Sequence, residues 1–351
     1  MTDTPWWLDA TAALSDSARD NAQIHQDQLT KPQGSLGRLE SLAIELAAMH
    51  NTSKPQIKQP HMLVFAGDHG IVAQGVSAFP QSVTIAMLAN FVNGGAAVAT
   101  LCKQQGIQLS VINCGTAQNC EHLTQMTHKP IMAGTHDFSL QAAMSNEQAL
   151  AALSLGKEQV ERAHQHGCDF LMLGEMGIGN TSAASCLSAL LLEQDVSDLT
   201  GPGTGVAGAA LMRKKEILSA SVARAKPLVK NPLDALAQVG GLEIAAIAAA
   251  YIRASQLGMP CLVDGFITTA AALLAVKLNP GVRNWLLFAH HSAECGHSTL
   301  LSALDAQPLL HLGMRLGEGS GAAVAYATIQ QALTIHNNMA TFAQAAVENK
   351  V

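Results

Sequence analysis

The sequence is poor in charged and aromatic residues, which account for only 13% and 4% of its 351 positions. With 48% hydrophobic residues, this composition excludes a disordered chain and predicts a large buried core. The net charge is −6 and no tract of lysine and arginine is present, so we expect no nucleic-acid partner.

Disulfide patterns and targeting segments are also missing. The seven cysteines are odd in number and show no Cys-x-x-Cys spacing, which predicts reduced thiols. The N-terminus lacks the basic and apolar regions of a secretory signal. Apolar runs such as residues 266–276 are far shorter than the ~20 residues that a membrane span needs. We therefore expect a soluble cytoplasmic protein without a membrane span.

The sequence does contain a repeated alternation of short apolar runs and longer helical segments. The apolar runs occupy residues 61–65, 108–112, 169–173, 261–263 and 285–289, and each leads into a loop of glycine and polar or charged residues. These repeats predict an α/β fold, with a parallel (Rossmann-like) sheet flanked by helices. Ligands of such folds bind at the C-terminal ends of the strands, where these loops fall.

Two further segments show helical spacing. Apolar residues recur from Leu36 to Leu46, ahead of a polar stretch at residues 51–59 that is the best candidate for a domain junction. Near the C-terminus, alanine-rich spacing predicts one long helix from Ala322 to about Val347.

The segment GEMGIGNT, residues 174–181, lies between a predicted strand and a predicted helix over 182–192. Gly177 and Gly179 permit a tight turn, Asn180 or Thr181 can cap the helix, and the free N–H groups at its start favour an anion. The segment is a candidate phosphate cradle, although a glycine turn with a capped helix is an equal alternative. It matches neither a Walker loop nor a dinucleotide fingerprint, so ATP and NAD receive little support.

A second glycine loop, GPGTG at residues 201–205, precedes two cations, Arg213 and Lys214. Gly203, Thr204 and Gly205 together with Lys214 could complete a phosphate site. The alternative is that Lys214 is a solvated lysine on the outside of a helix.

Glu318 stands in the loop RLGEGSG, with a glycine on each side. Glycines keep bulk away from the carboxylate and let a ligand come close. A carboxylate in a tight apolar loop can have a raised pKa and act as a general base. The alternative is an exposed loop glutamate.

Several histidines and acidic residues cluster near predicted strand ends and could build a metal site. They are Asp68, His69, His290, His291, Glu294 and His297. No His-Glu-x-x-His helix accompanies them, so hydrogen bonds among themselves or to the backbone are the favoured interpretation. We predict no metal and no cofactor.

Eight segments together resemble the nicotinate-nucleotide:dimethylbenzimidazole phosphoribosyltransferases of cobalamin nucleotide-loop assembly. In chain order they are KPQGSLGRLE, FAGDHG, GEMGIGNT, GPGTG, LMRKKE, VDGFIT, SAECGH and MRLGEGSGAA, between residues 31 and 324. The resemblance implies a large α/β domain at residues 59–324 that carries the active site. It also implies a small helical domain formed by residues 1–58 and 325–351, and a homodimer.

The resemblance also implies roles for individual residues. Glu318 matches the general base of the family, and Glu175 is implied as a second carboxylate near the ribose or the base. The 5′-phosphate of nicotinate mononucleotide is implied to bind the two glycine loops and Lys214. The acceptor base is implied to bind a pocket that includes Phe79, Ser82, Met87 and Leu316.

The sequence departs from the family's pattern in the stretch 79–91. Where many members have a glutamate before Val83 and a glutamine a few residues on, this chain has Ser82, Ile85, Ala86 and Met87. The pocket should therefore be more apolar and adaptable, which leaves dimethylbenzimidazole, another benzimidazole, a purine or a phenolic as the acceptor. A nucleotide hydrolase and a non-catalytic nucleotide-binding protein are the alternative functions.

Overall fold

The computed structural model describes residues 4–348, and within that range seven strands form one parallel sheet. The strands are β1 (Pro60–Gly67), β2 (Gln108–Gly115), β3 (Thr127–His128), β4 (Phe170–Met176), β5 (Cys261–Val263), β6 (Leu286–His290) and β7 (Pro308–Leu310). The predicted parallel α/β fold and all five apolar strands are confirmed. The edge strands β3 and β7 were not predicted, because β3 consists of two polar residues and β7 begins with a proline and is only half-buried.

Helices cover both faces of the sheet. The α-helices are α1 (Asp16–Gln28), α2 (Arg38–Met49), α3 (Ser82–Val92), α4 (Ala97–Gln105), α5 (Asn146–Gln165), α6 (Asn180–Leu192), α7 (Val196–Leu199), α8 (Ala209–Ala225), α9 (Pro232–Val239), α10 (Leu242–Gln256), α11 (Phe266–Leu278), α12 (His297–Ala303), α13 (Ser320–Asn338) and α14 (Phe342–Ala345). Short 3-10 helices occupy Trp6–Leu8, Gly70–Gln74, Lys226–Leu228 and Pro280–Trp285.

Alternating side chains of the central strands pack into two separate apolar cores. Leu63 and Phe65 of β1 point to the core that includes α5, α6, α10 and α11. Val64 and Ala66 point to the core that includes α2, α3, α4 and α13. Because both faces are covered, the strands read as continuous apolar runs without a polar face.

The strand order β3-β2-β1-β4-β5-β6-β7 reverses direction between β1 and β4. The loops after β1 and β4 therefore leave toward opposite faces of the sheet and open a crevice between their C-terminal ends. In parallel sheets such a switch point is where ligands bind.

The C-terminal segment differs from the prediction of one helix over residues 322–347. The chain leaves helical conformation at Met339, whose φ and ψ are −65° and 135°. Thr341 then caps the short helix α14 by accepting the N–H of Gln344. The break arises because a threonine side chain offers the backbone a new N-cap, a signal that alanine-rich spacing hides.

One stretch, Ser82–Gln105, is long and apolar enough to cross a membrane by length and composition alone. The prediction that apolar runs are far too short for a membrane span, which rested on runs such as 266–276, is wrong for this stretch. In the structure this stretch is two helices, α3 and α4, separated at Asn93–Ala96, where Gly94 has φ +78°.

Helices from the two ends of the chain pack together. Helix α1 contacts α2, and α2 contacts α13. Gln26 and the buried His336 are joined by a hydrogen bond of 2.8 Å between Nε2 and Nδ1. The division into residues 1–58 with 325–351 and residues 59–324 stays a prediction, and α13 crosses its second boundary.

Candidate active site

A cavity of about 470 Å³ lies at the switch point and at the C-terminal ends of β4, β5 and β6. It brings together residues that sequence analysis took from four separate segments of the chain. The predicted site residues that line it are Phe79, Met87, Glu175, Gly177, Asn180, Thr181, Gly203, Thr204, Leu316 and Glu318. Ser82, Gly179, Gly205 and Lys214 do not line this cavity.

Glu175, near the end of β4, is a buried carboxyl that links two loops of the site. Its Oε2 accepts from the side-chain amide of Asn180, and its Oε1 accepts the backbone N–H of Glu318 at 3.2 Å. Burial raises the pKa of Glu175 well above the ordinary value, and the charges of Asp264 and Glu318 raise it further. Through these two hydrogen bonds Glu175 connects the turn that leads into α6 with the loop that carries Glu318.

Glu318 is held in a strained backbone conformation at the cavity wall. Its φ is +67°, and the flanking Gly317 and Gly319 have φ values of +82° and +85°. Three successive left-handed residues are costly for anything larger than glycine, and such strain clusters at functional sites. Glu318 is 7% exposed, and burial, followed by the charge of Asp264, raises the pKa of its carboxyl to about 7. Glu318 therefore exchanges protons near neutral pH, as a general base must.

Asp264 lines the same cavity and received no role in the sequence analysis. It follows β5 directly, and its carboxylate accepts the backbone N–H groups of Gly319 at 3.1 Å and Ala322 at 2.7 Å. Burial raises the pKa of Asp264 to about 7 despite these donors. An acidic residue directly after a buried strand was the signal that could have found it.

The opposite side of the cavity has the form of an anion cradle. Helix α6 begins at Asn180 after the turn at Gly177 and Gly179, so the positive end of its dipole lies at the cavity, which Asn180 and Thr181 line. Gly203 comes so close to Thr181 that an added Cβ would lie 2.7 Å from its hydroxyl. Thr204 joins this loop to the segment that precedes α3 by accepting the N–H of Ala78 at 3.2 Å.

Lys214 lies behind this cradle. It is 2% exposed, which rules out the solvated alternative. Its Nζ donates to Thr181 Oγ1 and to the carbonyl of Gly201, both at 3.2 Å. An ammonium has three donors, so one is left for an anion. Burial lowers the pKa of Lys214, and the nearby Glu294 opposes that shift.

The remaining predicted residues have other positions. Gly179 packs its backbone against His69 and Val72. Gly205 has φ +111° and nothing within 4 Å of where a Cβ would be. Ser82 is exposed at the start of α3, whereas Val83 and Met87, one helical turn apart, face the cavity.

Gly177 has no room for a side chain. An added Cβ would fall far inside contact distance of the carbonyl oxygen of Gly67. We expect Gly177→Ala to lower the free energy of unfolding by about 3 kcal/mol in urea titrations, because two backbones must separate. Gly75→Ala is the control, since Gly75 has φ +73° and open space, and should cost only about 1 kcal/mol. Equal losses in the two variants would contradict this packing argument.

The histidine and acidic cluster divides in the structure. His290 and Glu294 line the cavity together with Arg315, whereas His69 pairs with the buried Glu243 at 2.7 Å. Across residues 4–348, no group of three or more His, Cys, Asp and Glu side chains could hold a metal ion. Sequence reasoning gave no substrate-binding role to Glu294 or Arg315, although both stand in segments that it had singled out.

Comparison with known proteins agrees with this geometry. Residues 11–347 match a family model described as phosphoribosyltransferase. The nicotinate-nucleotide–dimethylbenzimidazole phosphoribosyltransferase of Ectopseudomonas mendocina is 50% identical over 345 residues, which are 98% of each chain. The protein of the same name from Pseudomonas putida is 49% identical over the same shares. A crystal structure of CobT from Thermus thermophilus matches with a TM-score of 0.91 at 40% identity, covering 95% of this chain and 100% of that one.

Proposed function

Because the chain belongs to the nicotinate-nucleotide–dimethylbenzimidazole phosphoribosyltransferase family, we propose that it transfers the phosphoribosyl group of nicotinate mononucleotide to 5,6-dimethylbenzimidazole or a related base. The products are α-ribazole 5′-phosphate and nicotinate, in the assembly of the cobalamin nucleotide loop. The observation that carries the proposal is one cavity that holds both a carboxyl with a pKa of about 7, Glu318, and an anion cradle.

The reaction needs one proton acceptor. A ring nitrogen of the base attacks C1′ of the ribose, the bond from C1′ to the pyridinium nitrogen breaks, and nicotinate leaves with the bonding electron pair. The configuration at C1′ inverts. The attacking base carries an N–H proton on its other ring nitrogen, and this proton passes to the carboxylate of Glu318. The departing ring becomes neutral as it leaves, so it needs no acid, and proximity of the two substrates supplies much of the rate.

The nucleotide is proposed to bind along the turn after β4 and the loop between α7 and α8. Gly177, Gly179, Asn180 and Thr181 would present the N-terminus of α6 to the 5′-phosphate. Lys214 and the loop of Gly203, Thr204 and Gly205 would close the other side, with the third donor of Lys214 on a phosphate oxygen. Glu175, hydrogen-bonded to Asn180 and to the backbone N–H of Glu318, would hold the cradle at a fixed distance from Glu318.

The acceptor base is proposed to bind between α3 and the loop that carries Glu318. Phe79, Val83, Met87 and Leu316 line this side of the cavity and offer no hydrogen-bonding side chain. A flat, apolar ring such as a benzimidazole suits these walls, and methionine adapts to other ring shapes. Purines carry polar edges that these four side chains cannot satisfy, so we expect them to be poorer acceptors.

The pH dependence of transfer should follow the ionisation of Glu318. Its pKa is raised to about 7, so the carboxylate form that accepts a proton is lost as the pH falls below that value. We expect kcat/KM to fall about tenfold per pH unit below pH 7 and to level off above about pH 8. Initial rates between about pH 5 and pH 9 test this, and a flat profile for the wild type would contradict it.

Product analysis tests the function itself. The purified protein receives nicotinate mononucleotide with dimethylbenzimidazole, adenine, a cresol or no base, and products are separated by liquid chromatography and identified by mass spectrometry. A ribotide plus nicotinate is the expected result. Nicotinate and ribose 5-phosphate without any ribotide would indicate a hydrolase, and binding without turnover would indicate a nucleotide-binding protein.

We further propose that the enzyme acts in the cytoplasm as a homodimer. Phe79 and Leu316 line the cavity and yet are 50% and 58% exposed, so they form an apolar rim that a second copy could cover. All seven cysteines are free, in keeping with a reducing compartment. Light scattering of the purified protein measures the mass in solution, and a mass of one chain at micromolar concentration would refute the dimer.

A further inference from the structure

A buried hydrogen-bond network joins the end of β1 to the turn after β4. The hydroxyl of Thr84 in α3 donates to Asp68 Oδ1 at 2.6 Å and accepts the backbone N–H of Ile178 at 3.2 Å. Asp68 Oδ2 accepts the N–H of Ala117 at 2.8 Å. Thr84 and Asp68 are 0% and 1% exposed, so water cannot replace any of these partners.

The network has a fixed direction. A threonine hydroxyl has a single proton, and Thr84 donates it in a hydrogen bond to Asp68. The other oxygen of Asp68 accepts the N–H of Ala117. The lone pairs of the Thr84 oxygen are thereby left for Ile178. An unpartnered N–H at Ile178 would be costly in this buried position, so the hydroxyl fixes where the turn can lie.

The two ends of this bond belong to opposite sides of the cavity. Thr84 stands between Val83 and Met87 on α3, and both of those side chains line the wall proposed for the acceptor base. Ile178 stands between Gly177 and Gly179 in the turn that leads into α6, where the nucleotide phosphate is proposed to bind. Thr84 therefore links the two proposed substrate subsites directly, through the hydrogen bond that its hydroxyl accepts from Ile178.

We propose that Thr84, held by Asp68, is a positioning residue that sets the distance between the phosphate cradle and the acceptor-base wall. The inference rests on the proposed function, because it assumes that two substrates meet in this cavity. Small displacements of a bound substrate from its attack geometry are costly in rate. Loss of the Thr84 hydroxyl should thus weaken nucleotide binding and slow the transfer.

The test compares Thr84→Val, which keeps the shape and removes the hydroxyl, with Thr84→Ser, which keeps the hydroxyl. We expect Thr84→Val to raise KM for nicotinate mononucleotide and to lower kcat/KM by about 10- to 100-fold. Thr84→Ser should remain within about threefold of the wild type. Ile329→Val, a fully buried change in α13 outside the cavity, controls for a general loss of stability. Calorimetry with the nucleotide alone gives its affinity without requiring turnover.

Each outcome decides the proposal. The proposal would be overturned if Thr84→Val kept the wild-type KM and nucleotide affinity. It would also be overturned if Thr84→Ser or Ile329→Val lowered kcat/KM as much as Thr84→Val does. Should Thr84→Val fail to fold, Asp68→Asn perturbs the same network, because an amide cannot accept at both of its ends, and the same rise in KM is expected. A wild-type protein that makes no ribotide would refute the proposed function, whereas an unchanged nucleotide affinity in Thr84→Val would refute only the positioning role.

Discussion

Replacing Glu318 with glutamine is expected to lower kcat by about 10²- to 10⁴-fold while leaving the affinity for nicotinate mononucleotide within about threefold. Glutamine has the size of glutamate and can occupy the same left-handed loop, but it cannot accept the proton of the attacking base. The loss should therefore appear in turnover and not in binding. Initial rates with dimethylbenzimidazole and calorimetric titration with the nucleotide separate the two quantities.

Two comparisons make this result interpretable. Glu158→Gln changes an exposed glutamate in α5, 56% exposed, and should leave both quantities unchanged. The rise of kcat/KM with pH should disappear in Glu318→Gln if Glu318 is the titrating base. If Glu318→Gln kept more than about a tenth of the wild-type kcat, another carboxyl would be the proton acceptor. Asp264, with a pKa of about 7, would then be the first to test.

Replacing Lys214 with methionine is expected to have the largest effect on nucleotide binding. Methionine keeps the apolar part of the lysine side chain but offers no donor to the phosphate. Removing one partner of a buried charge pair costs about 2–5 kcal/mol, so KM should rise about 30- to several thousand-fold. The change in kcat should be smaller, because Lys214 does not reach the reacting atoms in the proposed mechanism.

The same substitution should not weaken the fold. Burial lowers the pKa of Lys214, because keeping its ammonium away from water costs free energy that methionine does not incur. Thermal unfolding of Lys214→Met without ligand should therefore begin at the wild-type temperature or above it. Arg213→Met is the matched control, because Arg213 is exposed on the same helix and should alter neither KM nor stability. A wild-type KM in Lys214→Met would show that Lys214 does not bind the phosphate.

The sequence predicted the parts of the fold that depend on local pattern. Strands β1, β2, β4, β5 and β6 are apolar runs followed by glycine loops, and each is buried in the sheet over most or all of its length. Edge strands such as β7, at Pro308–Leu310, carry no such pattern because neighbouring strands and not their own residues define them. The break after α13 was not predicted, because the alanine-rich spacing continues past it and only the N-cap at Thr341 marks the start of a new helix.

Residue roles that depend on spacing within one segment were also accessible. The turn at Gly177 and Gly179 was predicted from the GEMGIGNT segment alone. The predicted start of α6 was wrong, because the helix begins at Asn180 and not at residue 182, and its N-cap is Gly179 without a side-chain cap from Asn180 or Thr181. Glu318 was singled out because of the glycines on each side of it. Ser82, which was predicted to line the pocket, shows the limit of this reasoning. The orientation of α3 turns its side chain to solvent and places Val83 at the cavity.

The sequence by itself determined the family, the parallel sheet and the set of chemical groups available for catalysis. Only the tertiary structure decided which of those groups have raised pKa values. Glu175, Asp264 and Glu318 come from distant parts of the chain, yet they meet in one cavity, where burial raises the pKa of all three and the charge of Asp264 adds to the rise at Glu175 and Glu318. A pKa is set by burial and by neighbouring charges, and neither quantity exists until the loops after β4, β5 and β7 are brought together.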